Sequence, residues 1–121
     1  MLNILVVDDE EAILYMLTEV LKKYGFNVET ALGGIEGVQK FDEGVFDLVI
    51  TDLCMPGIDG NEVIHLSRTL SPATKFLIHT GSSDYQLPHD LIQSGIDPQF
   101  VFRKPLLDMS ILLHAVTRLL Q

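Results

Sequence analysis

The sequence predicts an α/β fold: a doubly wound parallel sheet of five strands in the order 2-1-3-4-5, flanked by five helices. Three observations lead there. Short β-branched apolar runs alternate with longer amphipathic segments, the pattern of repeated βαβ units. The 121 residues give one domain over the whole chain and leave no length for a second. A hydrophobic share of 47% is enough to cover both faces of a sheet. Right-handed crossovers and strand adjacency then select the order.

Each element has its own signal. Strand one covers residues 3–7, an unbroken apolar run after Asn3. Helix one follows over about residues 10–24, with Ile13, Leu14, Leu17, Val20, Leu21 and Tyr24 at helical spacing. Asp9, Glu10 and Glu11 put acid at its start, Lys22 and Lys23 put base at its end, and Gly25 stops it. Strand two is residues 27–31. Gly33 and Gly34 open helix two, about residues 35–42, and Gly44 closes it. Strand three is residues 48–51. A turn-rich loop, Met55-Pro56-Gly57-Ile58-Asp59-Gly60, leads to helix three over about residues 61–70, which Ser71-Pro72 ends. Strand four is residues 75–79. Helix four lies within residues 84–94, where Pro88 confines it to a late start. Strand five is about residues 100–102. Helix five, residues 108–120, carries Ile111, Leu112, Ala115, Val116 and Leu119 on one face.

The strand ends carry the chemistry. Strand one runs into Asp8-Asp9, strand three into Asp52, strand four into Thr80 and strand five into Lys104-Pro105. In an open parallel sheet, ligands bind just outside the carboxyl ends of the strands. With strands one and three adjacent, Asp8, Asp9 and Asp52 converge. Three carboxylates, a hydroxyl and an ammonium suit a divalent cation and a phosphoryl group. Packed carboxylates repel one another, and a hard cation such as Mg²⁺ or Mn²⁺ removes that repulsion. Asp52 would then stay ionised and could attack phosphorus to form an acyl phosphate. Lys104 and Thr80 would meet charge on the phosphoryl oxygens.

Composition narrows the partners. The formal net charge of −9 repels nucleic acid and anionic lipid, so direct binding to either is not expected. One cysteine, Cys54, excludes an internal disulfide and fits a reducing, cytoplasmic setting. The N-terminus shows no signal-peptide pattern, and no apolar stretch approaches the roughly 18 residues a membrane span needs. His65, His79, His89 and His114 are scattered, with His79 expected in or beside strand four as a hydrogen-bonded residue.

Four pieces together match a family: Leu5-Val6-Val7-Asp8-Asp9-Glu10, the run Thr51 through Gly60, His79-Thr80-Gly81, and Lys104-Pro105. In this order and spacing the chain resembles the receiver domain of two-component response regulators, over essentially its whole length. The resemblance implies that Asp52 is the phosphoacceptor, taking its phosphoryl group from a sensor histidine kinase or a phosphotransfer protein. It implies that Asp9, Asp52 and the backbone carbonyl of Cys54 bind Mg²⁺, with Asp8 acting largely through a metal-bound water. Thr80 would swing toward the phosphoryl group, Lys104 would bridge to it, and the Lys104–Pro105 bond would be cis. Two features depart from the family pattern: the stretch from Gly95 to Lys104 is about two residues longer than the common spacing, with Asp97-Pro98 inside, and the residue three before the lysine differs. Three residues before the lysine the family often has Tyr or Phe, whose ring changes rotamer on phosphorylation; here that residue is Val101, between Phe100 and Phe102.

The expected function is therefore a phosphorylation-controlled switch in a phosphorelay, not an enzyme in its own right. A downstream protein or domain supplies the output, and a homodimer through helices four and five is compatible with the pattern. Other readings are weaker. A phosphohydrolase of the haloacid-dehalogenase type needs a second Asp two residues after the nucleophile, where this chain has Cys54. A flavodoxin-like carrier would meet repulsion from Asp8-Asp9-Glu10 and has no Trp to stack on a flavin. A degenerate receiver used only for docking would not need the acids, Thr80 and Lys104.

Overall fold

In the computed structural model, residues 2–52, 73–80, 101–103 and 108–120 are described. They form β1 (Asn3–Asp8), α1 (Glu11–Lys23), β2 (Asn27–Leu32), α2 (Gly34–Glu43), β3 (Leu48–Thr51), β4 (Lys75–Thr80), β5 (Val101–Arg103) and a C-terminal helix (Met109–Leu119). The strands make one parallel sheet in the order β2-β1-β3-β4-β5. This is the order the alternating pattern predicts. The expected helices at 61–70 and within 84–94 lie outside the described residues.

The inner strands β1 and β3 are apolar on both faces because both faces are covered, whereas the edge strand β2 is half exposed. Along β1, Leu5 and Val7 join a core with Phe41 of α2, Phe46, Val49, Phe76 and Ile78. Ile4 and Val6 join a second core, on the other face, with Leu14, Leu17 and Leu21 of α1 and Leu112, Ala115 and Val116 of the C-terminal helix. So α2 packs on one side of the sheet, and α1 and the C-terminal helix pack on the other. Among the described residues no helix is long and apolar enough to cross a membrane.

Element ends differ from the sequence expectation by a residue or so, each for a local reason. β1 and β4 run one residue further, because Asp8 still pairs with Leu32 and Thr80 with Arg103. β2 likewise extends to Leu32. β5 runs on to Arg103, one residue past the expected end, in register with Ile78 to Thr80. Glu10 and Tyr24 cap α1 instead of belonging to it. The end of α1 is a Schellman turn: the Phe26 N–H donates to the Leu21 carbonyl at 3.2 Å and the Gly25 N–H to the Lys22 carbonyl at 3.0 Å. Gly25 takes φ +92 there, a region that costs a side-chain-bearing residue energy. Residues 35–42 extend to Gly34 and Glu43 as α2, and 108–120 contracts to Met109–Leu119, with Asp108 accepting from the Ser110 N–H as its cap.

Two contacts of α2 fix its place. A Cβ at Gly37 would stand 2.9 Å from Cγ1 of Val7, so the helix lies against β1 at a distance only glycine permits. At the outer rim of the sheet, Lys40 Nζ donates to the Thr30 carbonyl and the Leu32 N–H donates to Glu36 Oε2.

Candidate metal site at the carboxyl ends of the strands

The site begins where β1 and β3 stop side by side. Val7 is in register with Thr51, and the Asp52 N–H continues the pairing by donating to the Val7 carbonyl at 3.2 Å. Asp8 and Asp52 therefore emerge next to each other from the end of a rigid core. Both are buried, at 1% and 4% exposure, while Asp9 is exposed. A carboxylate oxygen from each of Asp8, Asp9 and Asp52 lies within 4.8 Å of the others. The three acids that the sequence places on one spot are there.

Backbone bonds hold the group in position. The Glu10 N–H donates to Asp8 Oδ1 at 3.0 Å. This carboxylate takes up one of the free N–H groups at the start of α1 and adds negative charge there, where the helix dipole favours it. The Glu10 side chain makes no capping bond of its own. The acidic run thus does two jobs: Asp8 serves the helix start and also stands in the carboxylate cluster. Beneath it, the Gly33 N–H donates to the Asp8 carbonyl at 2.9 Å. Gly33 has φ +91, which brings the chain back under Asp8 as α2 begins. Thr51 Oγ1 donates to the Asp52 carbonyl at 3.0 Å, fixing the backbone that leaves β3.

Thr80 ends β4 at the same edge of the sheet and is fully buried. Its register partner is Arg103, the last residue of β5, after which the chain passes directly to Lys104. Lys104, Pro105 and Cys54 lie outside the described residues. His79 lies within β4, where the sequence expectation put it, and is 1% exposed. What sequence reasoning did not find is its neighbour. Because Thr51 pairs with Ile78, His79 stands beside Asp52. Strand register carries that information, and no motif does.

A set of three oxygen ligands with two of them buried fits a hard cation of the Mg²⁺ class. Among the described residues, thiol or imidazole donors, which softer metals prefer, are not part of this cluster.

The comparisons agree with this geometry. A family model described as the response regulator receiver domain matches residues 4–117. The transcriptional regulatory protein ZraR of Klebsiella oxytoca is 34% identical over 93 residues, which cover 77% of this chain and 21% of that protein. The chain thus spans about a fifth of the length of the first curated relatives it matches. Among solved structures, the response regulator protein TrrA of Thermotoga maritima in complex with Mg²⁺-BeF superposes with a TM-score of 0.83 at 36% identity, covering 98% of this chain and 99% of that one. A structure of the histidine kinase ThkA in complex with TrrA matches with a TM-score of 0.83 at 35% identity, over 100% of both chains.

Proposed function

The chain belongs to the response regulator receiver domain family, and from that premise we propose that Asp52 is its phosphoacceptor. The module is a receiver of two-component signalling. The observation that carries the residue assignment is the clustering of Asp8, Asp9 and Asp52, with their oxygens within 4.8 Å of one another at the strand ends.

Asp9, Asp52 and the backbone carbonyl of Cys54 would hold Mg²⁺ or Mn²⁺ directly, and Asp8 through water. Bound there, the ion would neutralise the carboxylates and stabilise charge on the phosphoryl oxygens. The chain's own residues do the rest. A carboxylate oxygen of Asp52 attacks the phosphorus of a phosphohistidine, the new P–O bond forms as the P–N bond breaks, and the donor imidazole leaves with the electron pair of that bond. Asp52 is held by its N–H bond to the Val7 carbonyl and is 4% exposed, so its position is fixed and water reaches it little. Thr80 would donate its hydroxyl proton to a phosphoryl oxygen, and the ammonium of Lys104 would pair with another.

The donor is a sensor histidine kinase or a phosphotransfer protein; the ThkA–TrrA complex supports a kinase. Output passes to another domain or protein, since the first relatives are about five times longer than the matched region. The net charge of −9 argues that this module does not itself touch nucleic acid.

The test is direct. With Mg²⁺ and acetyl phosphate the protein should gain one phosphoryl mass, and Asp52→Asn should gain none. Equal labelling of the variant would reject the assignment.

A further inference from the structure

One buried side chain beside the phosphoacceptor has no part in the chemistry above. His79 is among the largest fully buried side chains of the protein. A polar ring in a core position is kept there by its polar interactions, which an aliphatic side chain of similar size would not need.

Register gives its neighbours. Thr51 pairs with Ile78, so the next residues, Asp52 and His79, stand side by side across β3 and β4, about 5 Å apart at the backbone. On its other side His79 pairs directly with Phe102 of β5. Alternation along the strands gives the face. Leu77 belongs to the core under α1 and the C-terminal helix, and Phe76 and Ile78 belong to the core under α2. His79, two residues past Leu77, shares the face of Leu77. Phe102 packs into that same core, together with Leu112 and Val116 of the C-terminal helix. Asp52 follows Ile50 onto this face, and Asp8 follows Val6. Asp8, Asp52, His79 and Phe102 thus form one continuous row, from the carboxylate cluster to the underside of the C-terminal helix. Val101 packs into the opposite core, and Thr80 alternates to that side.

We propose that His79 is the positioning residue through which the phosphorylation state of Asp52 reaches Phe102 and the C-terminal helix. It takes the place of a relay through position 101, where Val lacks a ring to turn. The inference rests on Asp52 being the phosphoacceptor. A phosphoryl group adds a charge of roughly −1.5 to −2 and three acceptor oxygens next to a buried imidazole. The ring carries an N–H donor, and turning it toward the new acceptors moves the ring edge against Phe102. In a close-packed core that movement passes on to whatever Phe102 touches.

The experiment is NMR on the whole chain, with the histidine and phenylalanine rings and the leucine and valine methyls labelled. Mg²⁺ plus beryllofluoride is the probe. In the wild type, the His79 ring, the Phe102 ring and the methyls of Leu112 and Val116 should all shift. In His79→Leu, which fills similar space, beryllofluoride should still bind while the shifts at Phe102, Leu112 and Val116 are lost. His79→Gln is the second variant should the first fail to fold. Unmoved His79 signals in the wild type, or full shifts at Phe102 and the helix in either variant, overturn the proposal. Acetyl phosphate labelling separates the two levels. Labelled wild type with silent His79 defeats this inference alone, whereas label that survives in Asp52→Asn defeats the site assignment and this inference with it.

Discussion

Replacing Asp8 with Asn should make the metal-free protein more stable and weaken its hold on Mg²⁺. The change is nearly isosteric. Asp8 Oδ1 accepts the Glu10 N–H at 3.0 Å, and the Asn carbonyl oxygen can keep that bond. What disappears is charge. At 4.8 Å, the outer limit of spacing within the cluster, two unit charges repel by about 3 kcal/mol for an effective dielectric of about 20. Asp9 is exposed, so water screens most of its share; Asp52 is buried, and its share counts more fully. The same charge favours the start of α1 by about 0.3–1 kcal/mol, so removing it should raise the unfolding free energy by about 1–2 kcal/mol without metal. With Mg²⁺ the sign of the effect on binding is opposite, because affinity for the ion follows the charge of its ligands. A loss of about tenfold in affinity corresponds to about 1.4 kcal/mol. Urea unfolding in EDTA and in a series of MgCl₂ concentrations measures both terms. A variant less stable than wild type in EDTA would refute the reasoning, as would one that gains as much from Mg²⁺ as the wild type does.

Three further outcomes follow from packing and capping. Gly37→Ala sets a Cβ against Val7, itself buried at 1% exposure, and should cost about 1–2 kcal/mol after the helix-propensity gain is deducted; unchanged urea stability would mean that α2 can move off β1 freely. Leu17→Ala, at a position 1% exposed, should cost about 2–5 kcal/mol, yet the folded fraction should still take phosphate from acetyl phosphate, because Leu17 lies in the core and not in the carboxylate cluster. Asp108→Ala should lower Tm at neutral pH. The side-chain and backbone hydrogen bonds from Ser110 hold the Asp108 carboxyl below its ordinary 3.8. A carboxyl with a depressed pKa in the fold contributes stability above its unfolded value and loses it as the pH falls through the folded one. The gap between wild type and variant should thus close in acid, and a gap that persists there would point to helix propensity in place of the cap.

Much of this architecture was legible in the sequence, for reasons that particular residues make plain. Ile4 to Val7 and Leu48 to Ile50 are apolar without alternation, which only a strand buried on both faces tolerates. That made the parallel sheet and its order readable, and with them the meeting of Asp8, Asp9 and Asp52. Less was readable where register decides. The sequence holds no sign that β5 runs on to Arg103; pairing of Val101 to Arg103 with Ile78 to Thr80 settles it. The same pairing sets His79 between Asp52 and Phe102, a relation between residues far apart in the chain. Gly37 was also silent. A glycine inside a helix usually reads as a weakness, and its use here depends on how close β1 comes to α2. The backbone carbonyl of Cys54 and the Lys104–Pro105 bond, both read from the family resemblance, lie outside the described residues.

The bonds that Lys40 and Glu36 make along β2 bear on how copies of this molecule meet in concentrated solution. The margin of a sheet is a template onto which a foreign backbone can add, the first step toward fibres. On this margin the Thr30 oxygen and the Leu32 amide are already engaged by the protein's own helix. An incoming strand would have to displace both before adding a sixth member, so assembly by sheet extension is discouraged on the β2 side. Contacts between copies there are left to side chains.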